Sequence, residues 1–451
     1  MTTGKSFLGQ KVYSFSRGGI SFEDSSVPAR NSCVTAFLPS LSVIPLVQHS
    51  GSRAYPVVTV GEMVKEGMLV GRGRGPGSAN IHATVPGRVI KMVSWKAAGG
   101  QTQEGIVIRM EGSFEKLGKK AESFPWEGMF PYDIQRTISE AGVVEMEGRG
   151  KPVSDMISSL RSAPEPITLV VRCVFDDPWL AADYVLCRER TAAVAEGAAI
   201  ASRTCRVSRI IYAVSRNEKE LGDQLVTAGD KWGLPVSAVL VGSRYPQRNR
   251  RELELVLRNF GKREGMELGS MLILGPATLA AIYDAVKLRK PVLERYISVG
   301  GSAVVRPQVM KVRIGTRFGD IFAECGGFKG SPKKIAVGSP LLGRAIASLD
   351  EPVTKTCTAV FALLEDYQRA RPGSIAQECC IGCGECRNVC PVGLDPEELY
   401  KRTLSDEIAG SSRNNFPGGT PECHGCGCCE LVCPSRLPLS SRIAASALRG
   451  N

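Results

Sequence analysis

The sequence lacks a long apolar run and an apolar N-terminal segment. Its most apolar stretch, residues 270–286, is interrupted by Gly275, Pro276 and Asp284, and it falls short of the roughly 20 apolar residues that a membrane-spanning helix needs. The first residues, MTTGKSFLGQKVYSF, contain no apolar core of the kind found in secretory signal peptides. We therefore expect a chain without a signal peptide or a transmembrane helix, which attaches to any membrane only peripherally.

Histidine is also scarce, with 3 residues against 16 cysteines in 451 residues. The hydrophobic fraction of 43% and the charged fraction of 23% are those of globular proteins, which excludes a disordered chain, and the length suggests about three domains. Ten of the cysteines lie between residues 379 and 433. A disulfide-rich secreted domain is usually short and follows a signal peptide, so this clustering indicates metal binding in a reducing cytoplasm.

Short valine-rich runs separated by glycines extend from residue 57 to residue 95. Short strands alternating with glycine turns predict a small β-barrel or sandwich. The segments VGEMVKEG at 60–67 and HATVPGRV at 82–89 are similar to the flattened barrel of biotinyl and lipoyl carriers. Such carriers modify a lysine on the hairpin between their halves, but residues 71–87 contain no lysine. The sequence predicts a lipoyl-like barrel-sandwich domain over residues 1–115, without swinging-arm chemistry.

Apolar runs alternate with longer helical stretches between residues 130 and 305. The runs are ITLVVRCVF, RIIYAVS, VSAVLVG and SMLILG, and the helical stretches are DYVLCRERTAAVAEGAAIASR, EKELGDQLVTAGDKWG and ATLAAIYDAVKLRK. This alternation predicts an α/β layer around a largely parallel sheet. Residues 306–365 predict a shorter α+β unit, and a segment rich in Arg, Pro and Gly at 369–374 leads into the cysteine-rich region.

The cysteine-rich region contains two copies of the pattern C-x2-C-x2-C-x3-C-P. The copies are CIGCGECRNVCP at 380–391 and CHGCGCCELVCP at 423–434. In bacterial ferredoxins with this spacing, three cysteines of one motif and the fourth of the other ligate each cluster. The sequence predicts two [4Fe-4S] clusters in a ferredoxin domain at 375–440. The ligands of one cluster are Cys380, Cys383, Cys386 and Cys433, and those of the other are Cys423, Cys426, Cys429 and Cys390.

Two alternatives for the cysteine-rich region are a zinc ribbon and a disulfide knot. Zinc sites usually pair two C-x2-C knuckles and require neither the third cysteine nor the proline. Cys379 and Cys428 adjoin predicted ligands and are expected to be small buried residues. His424 could serve as a Rieske-type ligand, but the cysteine set is complete without it. Fully ligated iron leaves no open position for a substrate, so the clusters indicate electron transfer.

The chain resembles, in order along its length, the C subunit (RnfC) of Rnf or Rsx ion-translocating electron-transport complexes. The segments that carry the resemblance, besides the two cysteine motifs, are RGGI at 17–20, IPLVQHSG at 44–51, IHATVPGRV at 81–89, SEAGVV at 139–144, YPQ at 245–247, AIYDAVKLRKPVLERYISVGGSAV at 281–304, IGT at 314–316 and LDEPVTKT at 349–356. The resemblance implies a multidomain α/β and α+β fold. After the barrel come a complex I flavoprotein-like domain at 130–305, a β-grasp, soluble-ligand-binding unit at 306–365 and the ferredoxin domain.

The same resemblance implies a peripheral subunit on the cytoplasmic face of the cell membrane. Such a subunit exchanges electrons with NAD(H) through FMN and passes them through two [4Fe-4S] clusters to or from membrane subunits. The complex couples electron flow between ferredoxin and NAD to the transport of sodium ions or protons. The implied partners are integral membrane and other subunits of an Rnf-type complex, and ferredoxin or a similar acidic electron carrier.

The sequence departs from this family at the flavin site. The family's flavin loop G-G-A-G-F-P-T corresponds to EGRGKPV at 147–153, which keeps Gly148, Gly150 and Pro152 but has Glu147 at its start and two long cations. In the family's acidic loop, one carboxylate is kept as Asp177. Gly148, Gly150, Pro152 and Asp177 are therefore the candidate flavin-binding residues. Two alternatives stay open: a non-catalytic wire and scaffold that has lost flavin and NADH binding, and a soluble flavin and iron–sulfur reductase of the cobalamin-reductase type.

The basic balance of the chain lies outside the ferredoxin domain. The net charge is +12, yet residues 375–451 contain nine acidic and seven basic residues. The preceding residues therefore carry the whole excess, either as solvated surface or as a surface for anionic lipid or an acidic electron carrier. Basic residues are not interleaved with aromatic ones, so we expect no nucleic-acid partner.

Overall fold

The computed structural model describes residues 11–22, 28, 30–97, 101–114, 122–163, 166–364, 379–408 and 423–449. Part of the predicted barrel domain (1–10), the linker at 369–374, and residues 375–378 and 409–422 of the predicted ferredoxin domain lie outside the described residues. Across the described ranges, no helix is both long enough and apolar enough to cross a membrane.

Short strands joined by glycine turns build the N-terminal barrel-sandwich domain. The strands of this part of the chain are β1 (Cys33–Thr35), β2 (Leu41–Pro45), β3 (Tyr55–Pro56), β4 (Met63–Val64), β5 (Leu69–Arg72), β6 (Ile81–His82), β7 (Gly87–Lys96) and β8 (Thr102–Met110). One antiparallel sheet has the order β2-β8-β7-β4 and the other β3-β5-β6. Ile44, Val70 and Ile106 are fully buried in the core of this domain. β1 does not join either sheet.

The predicted α/β layer follows. Its elements are α1 (Pro131–Glu140), α2 (Val153–Leu160), β9 (Ile167–Cys173), α3 (Ala182–Glu189), α4 (Thr191–Thr204), β10 (Val207–Ser215), α5 (Lys219–Gly229), β11 (Val236–Val241), α6 (Arg250–Glu264), β12 (Ser270–Leu274) and α7 (Pro276–Lys287). The four predicted strands form a parallel sheet of order β11-β10-β9-β12. Apolar clusters cover both of its faces, which explains why these strands are continuous apolar runs.

One predicted helical stretch, residues 183–203, is divided in two. α3 ends at Glu189 and α4 begins at Thr191. Between them the guanidinium of Arg190 donates hydrogen bonds of 3.0 and 2.5 Å to the two carboxylate oxygens of Asp284 on α7. The break therefore provides a bidentate ion pair between neighbouring helices, which apolar periodicity does not reveal.

The next unit takes strands from outside its predicted range of 306–365. Its elements are β13 (Glu294–Gly300), β14 (Gln308–Arg313), α8 (Phe318–Glu324), β15 (Lys334–Val337), β16 (Arg344–Ala345) and β17 (Ala359–Leu363). The sheet has the order β1-β14-β13-β17-β15-β16. β13 lies before residue 305, and β1 comes from the predicted barrel domain. This sheet therefore combines strands from the predicted 1–115, 130–305 and 306–365 domains.

The described part of the ferredoxin domain has two similar halves. Each half contains a cysteine loop, a four-residue helix and a longer helix: α9 (Glu385–Asn388) and α10 (Pro396–Ile408), then α11 (Cys428–Leu431) and α12 (Leu439–Arg449). α9 packs against α11, and α10 packs against α12. The duplicated motif of the sequence thus appears as a duplicated structure.

Candidate electron-transfer site

The two cysteine loops have the same backbone geometry. Gly384 and Gly427 precede α9 and α11 with φ angles of 77° and 81°, a conformation that glycine adopts at no steric cost. Each turn places the third cysteine of its motif at the start of a short helix. These cysteines, Cys386 and Cys429, are buried in one apolar cluster with Tyr400 and Leu437.

One of the two predicted ligand sets surrounds a small cavity. Cys390 from the first motif lines this cavity together with Cys423, Cys426 and Cys429 from the second. The sulfur of Cys390 also accepts a hydrogen bond of 3.3 Å from the main-chain N–H of Leu394. Main-chain N–H donors to sulfur are among the factors that set cluster potentials. The residues that the sequence assigns to one cluster are therefore close together, and their four thiols suit iron.

Two members of the other predicted set, Cys386 and Cys433, meet at one apolar cluster. Cys433 packs against the apolar cluster that contains Cys386, and its sulfur accepts a hydrogen bond of 3.5 Å from the N–H of Leu437. Cys380 and Cys383 lie on an exposed loop. Within the described residues, no three His, Cys, Asp or Glu side chains form a ready-made site for a single metal ion. A [4Fe-4S] cluster is different from a single ion, because its four cysteine ligands surround a core of four irons.

The extra cysteines divide between the two environments. Cys428 is buried, as predicted, whereas Cys379 is exposed, so the prediction for Cys379 is wrong. Its main-chain oxygen accepts a hydrogen bond of 2.9 Å from the hydroxyl of Ser435, which ties the start of the first motif to the end of the second. All sixteen cysteines lie in the described residues, and none of them is in a disulfide bond.

The second cysteine loop is docked on the α/β layer. The hydroxyl of Tyr245 donates a hydrogen bond of 2.7 Å to the main-chain oxygen of Cys426, and Nδ1 of His424 lies 2.8 Å from Oε1 of Glu252 on α6. The N–H of Gly19 donates a hydrogen bond of 2.9 Å to the oxygen of Val389, just before Cys390. The segment YPQ therefore holds the second cysteine loop, and RGGI holds the end of the first motif. The sequence alone did not indicate either role.

Glu252 is a functional candidate that sequence reasoning missed. It is 2% exposed and lies one and two turns before Val256 and Phe260, which are also buried. Residues spaced by four share a helix face. The sequence feature that could have identified Glu252 is a carboxylate on the apolar face of the helix RELELVLRNF.

The predicted flavin loop contacts the chain's own groups. Gly148 is exposed, and Gly150 and Pro152 are buried. A Cβ atom on Gly148 would overlap the carboxylate of Glu145, and one on Gly150 would lie 3.0 Å from Cα of His49. Pro152 is the N-cap residue of α2. These three positions are close together in the chain, but other residues of the protein occupy the space beside the two glycines.

Glu147 extends from this loop to the start of α7. Its Oε1 accepts a hydrogen bond of 3.0 Å from the N–H of Thr278, and its Oε2 accepts one from the Thr278 hydroxyl. A Cβ atom on Gly275 would overlap the Glu147 carboxylate. The first turn of α7 therefore already has an anion, supplied by the chain.

The predicted acidic loop is buried beside an arginine. Asp177 accepts a hydrogen bond of 3.1 Å from the N–H of Trp179, and burial raises its pKa although Arg248 opposes the shift. Asp176 accepts a hydrogen bond of 2.8 Å from the N–H of Arg248. Burial raises the pKa of Asp176 to about 7, against the charge of Arg248.

Buried ion pairs continue across this region. Arg248 and Arg295 each have a guanidinium nitrogen 3.8 Å from a carboxylate oxygen of Asp183. Arg295 also donates hydrogen bonds of 3.0 Å to the oxygen of Met146 and 2.9 Å to that of Cys357. Charged groups of the protein thus fill the region between the two loops. FMN requires close backbone approach at this position, and the residues present do not fit it.

Three family models of known proteins match successive parts of this chain. The chain matches the family models for the RnfC barrel sandwich hybrid domain over residues 14–113, the Nuo51 FMN-binding domain over 138–274 and the 4Fe-4S dicluster domain over 379–438. These matches confirm the predicted fold class and the 4Fe-4S dicluster domain.

Relatives extend over most of the chain. It is 32% identical over 409 residues to the C subunit of the ion-translocating oxidoreductase complex of Rhodobacter capsulatus, covering 89% of this chain and 78% of the relative. It is 30% identical over 392 residues to the C subunit of the proton-translocating ferredoxin:NAD(+) oxidoreductase complex of Clostridium ljungdahlii, covering 85% and 83%. A crystal structure of an NAD+-reducing [NiFe]-hydrogenase in the H2-reduced state superposes with a TM-score of 0.48 and 16% identity, covering 64% of this chain and 55% of that one. The chain belongs to the family of C subunits of ion-translocating oxidoreductase complexes, which confirms the resemblance.

Proposed function

We propose that this chain is a peripheral electron-transfer subunit of a membrane-bound complex. The complex couples electron flow between ferredoxin and NAD to ion translocation, and the chain relays electrons through two [4Fe-4S] clusters on the cytoplasmic side. The cavity lined by Cys390 and the second cysteine loop carries this proposal, because cysteines from both motifs meet there. Two of the relatives are C subunits of an ion-translocating oxidoreductase complex and of a proton-translocating ferredoxin:NAD(+) oxidoreductase complex.

The environments of the two cysteine loops support a direction for the relay. The second loop is held against the α/β layer by Tyr245 and Glu252. The first loop is exposed, and Ile381 at its tip is 67% exposed. The cluster of Cys380, Cys383, Cys386 and Cys433 would therefore exchange electrons with a partner protein, and the other cluster would lie on the inner side.

A pair of cysteine variants tests the ligand assignment. Cys390→Ser removes a proposed ligand, whereas Cys428→Ser changes a buried neighbouring cysteine that is not one. After anaerobic purification, we expect Cys390→Ser to lose about half of the iron and one of the two cluster signals in electron paramagnetic resonance. We expect Cys428→Ser to keep both. Equal iron loss in the two variants would contradict the assignment.

Association with membrane subunits separates this function from that of a soluble reductase of the cobalamin-reductase type. A tagged chain, purified from its own cells in mild detergent, should bring integral membrane proteins with it. Recovery of the chain alone with full cluster content would favour the soluble reductase. Cross-linking with reduced ferredoxin then tests for the electron carrier.

The scaffold alternative, an electron relay without flavin or NADH chemistry of its own, gains support from one observation. The Glu147 carboxylate lies at the first turn of α7, and its loop contacts the protein itself. Under this alternative, NADH does not reduce the clusters of the purified chain, while dithionite does. Rapid reduction by NADH would exclude it.

A further inference from the structure

The start of α7 is a strong position for an anion. This helix has twelve residues, Pro276–Lys287, and the free N–H groups and dipole of a helix favour negative charge at its N-terminus. Here the Thr278 N–H and hydroxyl both donate to the Glu147 carboxylate. The carboxylate thus makes the contacts that a bound phosphate would make with this helix.

The Glu147 carboxylate also fills the space beside Gly275. Gly275 lies so near the Glu147 carboxylate that a Cβ atom there would overlap it. Glu147 reaches this point from the loop that resembles the family's flavin loop. Glycine therefore accommodates the protein's own carboxylate, and a second anion cannot take the same place.

The electrostatics oppose a second anion as well. Burial raises the pKa of Glu145 and that of Asp183, and the charge of Glu147 adds to both shifts. Of the nearby cations, Arg172 donates hydrogen bonds to the main-chain oxygens of Glu147 and Arg248. A phosphate monoester carries about 1.5 to 2 negative charges at pH 7 and would meet carboxylates at this site.

We infer that the Glu147 carboxylate is a built-in replacement for a flavin phosphate, so that the flavoprotein-like domain of this chain binds no FMN. This inference deepens the proposed function and rests on it: the chain passes electrons between partners through its clusters, and flavin chemistry belongs to another component. The domain is kept as a support for the second cysteine loop, through Tyr245 and Glu252.

Removal of the carboxylate should create a phosphate site. Arg295 is 1% exposed and its Nη1 has no hydrogen-bond partner among the described residues, while its Nη2 donates to the oxygen of Met146, next to Glu147. In Glu147→Gly, the Thr278 donors also become free. A phosphate entering there would find donors that the protein has already placed.

The test is calorimetric titration of the anaerobically purified, cluster-loaded chain with FMN, riboflavin and inorganic phosphate. We expect no binding of any of them to the wild type. Glu147→Gly should bind FMN with an affinity at least about tenfold above the detection limit of the titration, and it should not bind riboflavin. Glu145→Gln, in the same loop, keeps the hydrogen bonds between Glu147 and Thr278. It is the matched control and should behave as the wild type. If Glu147→Gly binds inorganic phosphate but not FMN, the result would also support the anion replacement. It would mean that another part of the site excludes the isoalloxazine ring.

Three results would overturn the inference: stoichiometric flavin in the wild type, equal FMN affinity of the wild type and Glu147→Gly, or no gain for either phosphate-bearing probe. If Glu147→Gly does not fold, two other measurements test the inference. The wild type should contain no flavin, and Glu147→Gln, which keeps the side-chain volume, should not bind FMN. Iron content of the same samples separates the two claims. Clusters together with flavin contradict the inference alone, and absence of clusters contradicts the proposed function.

Discussion

The hydroxyl of Tyr245 donates a hydrogen bond of 2.7 Å to the main-chain oxygen of Cys426. Tyr245 is 4% exposed and lies after β11, whereas Cys426 lies in the second cysteine loop. The residue before it, Arg244, donates hydrogen bonds to the main-chain oxygens of Phe15 and Gly18. One short loop of the α/β layer therefore binds both the N-terminal segment and a proposed cluster-binding loop.

Tyr245→Phe removes this hydrogen bond and keeps the ring. The Cys426 oxygen then loses its partner at a partly buried position, so we expect the free energy of unfolding to fall by about 1 kcal/mol. Denaturant unfolding of the cluster-loaded protein measures this change. Tyr132→Phe, on a side chain that is 64% exposed, is the control and should leave stability unchanged. Equal stability of the two variants would contradict a docking role for Tyr245.

Gly18→Ala tests the contact between the N-terminal segment and Cys390. Gly18 has φ of 66°, and a Cβ atom there would lie 2.6 Å from the main-chain oxygen of Cys390. Gly61 has a φ of 93° with open space around it, so Gly61→Ala carries only the cost of the left-handed backbone, about 1–2 kcal/mol. We expect the free energy of unfolding of Gly18→Ala to fall by about 1–3 kcal/mol more than that of this control. The electron paramagnetic resonance signal of one cluster should also change its line shape. Unfolding free energies within error of each other would count against the contact.

Glu252→Gln tests the electrostatic role of the buried carboxylate beside His424. Removal of a negative charge stabilises the reduced, more negative state of a nearby cluster, so its reduction potential should rise. Glu254→Gln, on the same helix with a partly exposed side chain, should leave both potentials within error. Redox titration followed by electron paramagnetic resonance measures them. An unchanged or lowered potential in Glu252→Gln would show that the carboxylate does not act on the cluster.

Lys355 predicts a pH dependence of stability. Its Nζ donates hydrogen bonds of 2.7 Å to the oxygens of Asn80 and Gly142, and burial lowers its pKa to about 7. The unfolded chain holds this proton up to a pKa of about 10.4. Between these values the unfolded state binds more protons, so stability rises with pH, by up to about 1.4 kcal/mol per pH unit.

Unfolding experiments between about pH 7.5 and 9.5, inside that window, measure this slope. Lys355→Met should flatten it, whatever its effect on stability at a single pH. Lys91→Met, on an exposed position of β7, should keep the slope of the wild type. A wild-type slope in Lys355→Met would mean that Lys355 is charged in the folded protein.

The parts that could be predicted from the sequence are those encoded locally. The repeated cysteine spacing, with Gly384 and Gly427 in equivalent turns, is enough to indicate two similar halves. The four strands of the parallel sheet are continuous apolar runs because both of its faces are covered. Such features require only a few consecutive residues.

The parts that could not be predicted depend on pairs far apart in the chain. β1 pairs with β14 over about 270 residues of separation, and no local pattern indicates that pairing. Glu147 was visible as an unusual residue in the flavin loop, but its bond to Thr278 depends on tertiary packing. Arg190 ends α3 beside Asp284 for the same reason. The exposure of Cys379 likewise depends on how the two motifs pack.

The central claim is that the two cysteine motifs hold two [4Fe-4S] clusters within one relay, and spin quantitation tests it most directly. The chain is purified without oxygen, fully reduced with dithionite and measured by electron paramagnetic resonance together with iron analysis. We predict about eight irons and about two unpaired spins per chain, with a spectrum broadened by magnetic coupling that becomes simple in Cys390→Ser. About one spin per chain, or zinc in place of iron, would contradict the account.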